Sequence, residues 1–282
     1  MRVHHLNCAT LCPVSAKLVN GTGGLFSPAV MVCHCLLIET RNNLILVDTG
    51  LGLQDLAHPG PLGFIVRNLI RPKLSIAETA VEQVKKLGFS PDDVRHIIVT
   101  HLDFDHAGGL PDFPGAEIHV SGLEYGSAMA SNSFRDEFRY RPKHWSHQPK
   151  WKTHAIAGDK WFGFDAVRTI DEGETEVLLI PLRGHTSGHC GVAVKSADKW
   201  ILNCGDAYFF HAEMFPRPDC TPALNIFQRL MESDHGARIN NQQRLRELKQ
   251  NHGNDIQLFC SHDHSEFCDC AGAGRSGDAA GE

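Results

Sequence analysis

The stretch Thr100-His-Leu-Asp-Phe-Asp-His-Ala-Gly-Gly109 decides how this chain reads. His101, Asp103, Asp105 and His106 place four metal-ligating side chains within six residues, directly after the β-rich run His96-Ile-Ile-Val-Thr100. Imidazole and carboxylate together suit zinc, iron or manganese. Ligands at i, i+2, i+4 and i+5 converge only where the backbone leaves the strand and curls round an ion, because a regular strand or helix would point them apart. The stretch therefore predicts a strand ending in a ligand-bearing loop, and with it a hydrolytic metal centre.

The same pattern, strand then ligands, recurs three times. Val177 to Leu182 leads into Gly184-His-Thr-Ser-Gly-His189, Trp200 to Asn203 into Gly205-Asp206, and Ile256 to Cys260 into Ser261-His-Asp-His264. Four strands ending in His or Asp imply one rim on which their loops converge. Upstream, Cys33 to Glu39 and Asn43 to Val47 flank the polar Thr40-Arg-Asn42 turn and read as a hairpin that runs into Asp48-Thr-Gly-Leu-Gly52. Ser75-Ile-Ala-Glu78 has the pattern of a capping box; Ala80, Val81, Val84 and Leu87 follow at helical spacing and Gly88 ends the run. Further helices are predicted over Ala223 to Glu232 and Gln242 to Gln250. Hairpins mixed with amphipathic helices, rather than strict alternation of strand and helix, predict an α/β (α+β) architecture of two packed sheets with helices outside.

The His101–His106 segment resembles the signature of the metallo-β-lactamase-fold hydrolases, His-x-His-x-Asp-His, with Asp103 standing where that family has its second histidine. The remaining motifs, from Asp48 to His262, follow in the family's order. The resemblance, to the lactonase and glyoxalase II-like branch, implies an αββα sandwich of two mixed β-sheets flanked by helices. It assigns His101, Asp103 and His185 to a first metal and Asp105, His106 and His262 to a second, with Asp206 bridging them. Two nearby cations repel, and an anion between them offsets the repulsion while fixing their spacing. A carboxylate is shorter and harder than imidazole, so Asp103 would alter the first site's geometry or favour iron or manganese. Two divalent ions are expected, zinc foremost, with manganese and iron as alternatives.

On spacing alone His189 rivals His185 and His264 rivals His262. The family pattern selects His185 and His262, leaving His189 as a hydrogen-bond partner or packing residue. Asp48 reads as a structural carboxylate bonding backbone or a ligand imidazole. Tyr208, two residues past Asp206, is a candidate donor to a substrate carbonyl or oxyanion, as tyrosines are in the similar N-acyl-homoserine lactonases; a buried tyrosine capping the core is the alternative.

A chain of 282 residues with 42% hydrophobic content can bury a substantial core. It reads as one domain over 1–270, with substrate-side insertions at 54–73, 134–152 and 209–250 and a small, polar, disordered tail over 271–282. The formal net charge of −6 and pI near 6.3 give no global reason to expect nucleic acid or an anionic membrane as partner. No window approaches the ~18 apolar residues of a membrane span, and no signal-length apolar segment opens the chain, so a cytoplasmic protein with reduced thiols is expected. Residues 134–152 carry six Lys or Arg against two acids, interleaved with Trp145 and Trp151. They fit either a mouth that attracts an anionic or amphipathic small molecule or a connector pinned by its aromatics.

The leading expectation is a di-metal hydrolase in which water activated between the metals opens a small ester, lactone or thioester, with Asp105 or a metal-bound water protonating the departing alcohol. An iron-dependent oxygen or redox enzyme of similar fold, as in the persulfide dioxygenases and flavodiiron proteins, is one alternative. A phosphodiesterase or nuclease is another, which predicts salt-dependent binding at residues 134–152.

Overall fold

The computed structural model describes the chain except for residues 132–133, 156–157, 159, 173–174, 197–198 and 273–282. Ten of the twelve residues of the expected tail lie outside the described residues; Ala271 and Gly272 close the last helix, His264–Ala271.

The first sheet is built from β1 (Arg2–Leu11), β2 (Met31–Glu39), β3 (Leu44–Val47), β4 (Val94–Ile98), β5 (Glu117–Ser121) and β6 (Lys150–His154), side by side in that order. The predicted hairpin is present, with β2 antiparallel to β3, whereas β3 to β6 run parallel. Sequence reading left β1 unassigned. Its polar His4, His5, Asn7 and Thr10 hide the apolar alternation, yet Leu6, Cys8 and Leu11 are buried and the strand pairs antiparallel with β2. A short hairpin, β7 (Lys160–Trp161) and β8 (Phe164–Asp165), leads to the second sheet of β9 (Val167–Glu172), β10 (Thr175–Pro181), β11 (Cys190–Lys195), β12 (Trp200–Asn203) and β13 (Ile256–Phe259). Its order is β13-β12-β11-β10-β9, antiparallel except between β12 and β13.

Strand side chains alternate between faces, and here each face has a partner. Leu36, Ile38, Ile45, Val47 and Ile98 meet Val177, Leu179, Val192, Val194 and Phe259 between the sheets. Cys35, Leu37, Leu46 and Ile97 turn outward onto helix Ala80–Lys86 through Val81 and Val84. On the opposite outer face Ile180, Leu202 and Leu258 pack against Leu245 and Leu248 of helix His235–His252. The result is the expected αββα sandwich. Each of these buried aliphatics contributes roughly 1.5–3 kcal/mol, which makes the frame around the rim stiff.

Two helices differ from expectation. Ser75 caps nothing with its side chain; Ile76–Glu78 form a single 3-10 turn, Thr79 is extended at φ −64° and ψ 145°, and the α-helix begins at Ala80. Gly88, at φ +92°, ends it as read. The helix predicted over Gln242–Gln250 runs from His235 to His252, capped by Asp234, whose carboxylate accepts from the Ala237 amide at 2.9 Å. Its inward face is partly polar, Arg238, Asn241 and Gln242 being buried and bonded, so hydrophobic periodicity reports only its second half.

Candidate metal centre

All four predicted strand ends reach one rim. β4 delivers His101, Asp103, Asp105 and His106, the last two within the single turn Phe104–Ala107; β10 delivers His185, β12 Asp206 and β13 His262. All seven side chains are buried. Five of them fall into two clusters that share one member: His101, His185 and Asp206, and His106, Asp206 and His262. Asp206 turns Oδ2 toward His185 Nε2 at 3.3 Å and His101 Nε2 at 3.8 Å, and Oδ1 toward His106 Nε2 and His262 Nε2, both at 3.2 Å. One oxygen serves each cluster, which is the geometry a bridging carboxylate needs. Asp105 Oδ2 lies 3.6 Å from His262 Nε2 on the second side, and Asp103 Oδ2 lies 3.1 Å from His185 Nε2 on the first.

The donor set fits divalent cations. His101 Nε2, His106 Nε2, Asp103 Oδ1 and Asp206 Oδ1 are buried without a hydrogen-bond partner, although buried polar atoms are otherwise almost always paired. The two imidazole nitrogens and Asp206 Oδ1 stand within the two clusters and gather lone pairs for a cation. The charges follow the same logic. Burial alone would push Asp206 up, but the imidazoles of His262, His106 and His185 outweigh it and hold its carboxyl well below the usual range. Burial would likewise push His106 down, and Asp206 with Asp48 hold it well above its ordinary value.

The ligands are held from behind. Asp48, at φ +57°, accepts from the Thr100 amide and hydroxyl, each at 2.8 Å, and lies 2.9 Å from His106 Nδ1. This is the orienting role read for it. His262 Nδ1 donates to the Val32 carbonyl at 2.7 Å, leaving Nε2 for the rim. His189 is a support: Nδ1 donates to the Leu182 carbonyl and Nε2 accepts from the Asp206 amide, both at 2.9 Å. It explains Gly205, at φ +56°, where a Cβ would stand 2.5 Å from His189 Nε2.

Tyr208 does not reach the site. Its side chain is fully buried in the outer core, its hydroxyl donates to the Glu266 carboxylate at 3.0 Å, and it is absent from the cavity wall, so the substrate-donor role is set aside. Tyr208 stands two residues past Asp206 and five past the end of β12, where its side chain turns onto helix His264–Ala271.

Two residues that motif reading passed over belong to the centre. Glu124, fully buried, accepts from the Leu102 amide at 3.0 Å and the Thr186 hydroxyl at 2.6 Å, tying the loop of His101 and Asp103 to that of His185. A lone acid near a helix start carries no sequence signal for that role. Arg139, from the basic 134–152 segment, is buried with Nη1 2.5 Å from Asp103 Oδ2 and 2.9 Å from His185 Nε2, and it bonds the Met231 carbonyl. The guanidinium outweighs burial and holds the Asp103 carboxyl well below its usual range. The rest of that segment divides its tasks: Arg141 donates to the Leu62 carbonyl, Lys143 and His144 pair with buried Asp55, and Trp145 and Trp151 pack on the outer core. Three of its six cations, Arg139, Arg141 and Lys143, are thus engaged in contacts within the protein.

Above the rim lies a cavity of about 290 Å³. Asp103, Asp105, Arg139, His185, Asp206 and His262 form its polar end; Leu11, Val14, Val19, Leu69, Ile70, Phe138, Phe209, Leu224, Phe227 and Met231 line the remainder. From the insertion expected at 54–73, Leu69 and Ile70 reach this cavity.

The chain is 39% identical over 263 residues to a probable metallo-hydrolase of Mycobacterium tuberculosis, covering 93% of this chain and 80% of that one. It is 30% identical over 205 residues to an N-acyl homoserine lactonase of a Bacillus species, covering 70% and 74%. Among solved structures it superposes with a TM-score of 0.70 on an N-acyl homoserine lactone hydrolase carrying N-hexanoyl-L-homoserine at its catalytic metal centre, at 22% identity and 95% coverage of both chains. The Metallo-beta-lactamase superfamily profile matches residues 29–250. With its αββα sandwich and a rim of paired His and Asp clusters, the chain belongs to the metallo-β-lactamase superfamily.

Proposed function

We propose that this metal-dependent hydrolase opens a lactone, or an open-chain ester, that bears an apolar acyl tail. The observation that carries the reading is the cavity, whose polar end is the ligand rim and whose remaining wall is aliphatic and aromatic. Such a wall binds by burial of apolar area, worth roughly 0.8 kcal/mol per methylene, and shields the reacting carbonyl from bulk water. Lactone chemistry is named for the Bacillus relatives and supports the same substrate class.

His101, Asp103 and His185 would hold one divalent ion and Asp105, His106 and His262 a second, with Asp206 between them. Bound there, the pair would supply Lewis acidity, polarising a carbonyl oxygen and bringing the pKa of water toward neutrality. The protein's share is positional. Asp48 and the Val32 carbonyl fix the ring planes of His106 and His262, so the rim is set before substrate arrives. Asp103 Oδ2 takes Arg139 while lying 3.1 Å from His185 Nε2 and 3.5 Å from His101 Nε2, and Oδ1 is buried without a hydrogen-bond partner. Arg139, held at the cavity wall by Asp103, His185 and the Met231 carbonyl, would set a positive charge beside a substrate carbonyl or the carboxylate that ring opening creates. Asp105 also lines the cavity. It takes the proton released by water and returns it to the alkoxide as the ester C–O bond breaks.

The test is proton release from a panel of N-acyl lactones and aryl esters of increasing chain length, with bis-aryl phosphates as comparison. The reading predicts turnover of lactone or ester, with kcat/KM rising along the acyl series. Turnover of the phosphodiester alone, or oxygen consumption with iron and no ester cleavage, would overturn it.

A further inference from the structure

A second group of ligating side chains lies away from the rim. β4 and β5 run parallel with His96 beside Glu117 and Ile98 beside His119, and side chains two apart on a strand share a face. His96, Glu117 and His119 therefore converge on one side of the sheet. His96, the middle residue of β4, precedes His101 by five residues, roughly 16 Å of extended chain, so the group stands apart from the rim. His96 Nδ1 lies 3.1 Å from His119 Nε2, Glu117 Oε1 lies 3.3 Å from His119 Nε2, and His96 Nδ1 lies 4.0 Å from Glu117 Oε1. Tetrahedral ligands at ~2.0–2.1 Å from a zinc-sized ion stand about 3.3–3.4 Å apart, so two of the three edges already match within a few tenths of an ångström.

We propose that β4 and β5 carry a further metal site, solvent-open and independent of the rim, in which His96, His119 and Glu117 bind a borderline divalent ion such as zinc or copper(II).

The surroundings give the site its supporting contacts. His119 is buried, and its other nitrogen, Nδ1, lies 3.0 Å from His154 Nε2 on the neighbouring strand. With the Nδ1 proton given to His154, Nε2 presents its lone pair to the other two ligands, the arrangement metal-bound histidines ordinarily have. Burial, then the neighbouring His96, lowers His119 to about 3, which keeps the ring neutral in ordinary buffers. His96 and Glu117 are partly exposed, 21% and 37%, so an ion can enter and keep water in the remaining positions. Lys152 Nζ, 3.4 Å from Glu117 Oε1, now balances that carboxylate; at 52% exposure the long side chain can swing into solvent as an ion arrives. Two imidazoles and one carboxylate suit zinc or copper better than magnesium or calcium.

The experiment is zinc titration against a chromophoric chelator on the full chain after its tightly held ions have been counted, comparing wild type with His96→Ala, Glu117→Gln and, as a control, His235→Ala. The expected result is one additional ion per chain in wild type and the control. In the His96 and Glu117 variants its affinity should fall at least about tenfold, while circular dichroism and the tightly held ions are unchanged. Copper(II) resonance spectra should show two nitrogen ligands in wild type and one fewer in His96→Ala. Coincident isotherms for all four proteins, or a copper spectrum unaffected by His96→Ala, would overturn the proposal.

Discussion

At the residue scale, Asp206 is the hinge of the centre, since each of its oxygens faces a different cluster of imidazoles. The residues behind it define what can be tested separately. Asp48 touches Thr100 and His106 and no substrate-facing surface, so Asp48→Asn should weaken metal affinity by roughly 10–100-fold through loss of ring orientation, read by chelator competition. Tyr208→Phe should act on stability instead. It removes the hydroxyl's bond to Glu266, costing on the order of 1 kcal/mol in urea unfolding, and should leave kcat/KM of the metal-loaded enzyme within about twofold. The seven rim residues were legible from four short motifs because each follows directly on a strand, where position in the chain fixes position in space. Arg139 and Glu124 were not, because they arrive from helices whose approach is set by tertiary packing alone.

At the element scale, the rim rests on stiff strands while the cavity wall comes from irregular pieces: the turns of Gly63–Ile70, the short helix Phe134–Arg139 and helix Pro222–Met231. Such segments shape substrate preference without moving the ligands. Ala223, a small side chain in that wall, marks the volume available to an acyl tail. Ala223→Trp should lower kcat/KM for the longest substrates about tenfold or more and leave the shortest little changed, so a chain-length profile measures it. The strands from β2 onward that carry the rim could be read from alternation and apolar runs. β1 escaped because its polar residues interrupt the alternation, and helix His235–His252 began early because Arg238, Asn241 and Gln242 satisfy polar partners where a periodicity search expects apolar ones. Of the basic segment 134–152, Arg139 and Phe138 line the cavity and the tryptophans pack on the outer core.

At the scale of the whole molecule, the sandwich buries imidazoles far from the rim as well as on it. His5 is lowered to about 4 and His119 to about 3, in each case chiefly by burial, and His34 is also held well below its ordinary value. In these groups the folded pKa lies below the unfolded value of 6.5, so between the two the unfolded chain binds more protons. Stability is therefore full above pH 6.5 and is lost as pH falls toward 4, by an amount on the order of a few kcal/mol. Urea midpoints should drop from pH 7 to pH 4.5, and His5→Gln should blunt the slope. Among the described residues no helix is long and apolar enough to cross a membrane. None of the ten cysteines is paired in a disulfide. The central claim, that the strand ends assemble a two-ion centre around Asp206, is tested most directly by metal content: mass spectrometry of protein purified without added metal and washed with a weak chelator, beside Asp206→Ala. About two zinc, manganese or iron ions per wild-type chain, with at least one lost in the variant, is the predicted result. Metal-free wild-type protein that hydrolyses the substrate, or a variant that keeps both ions, would contradict it.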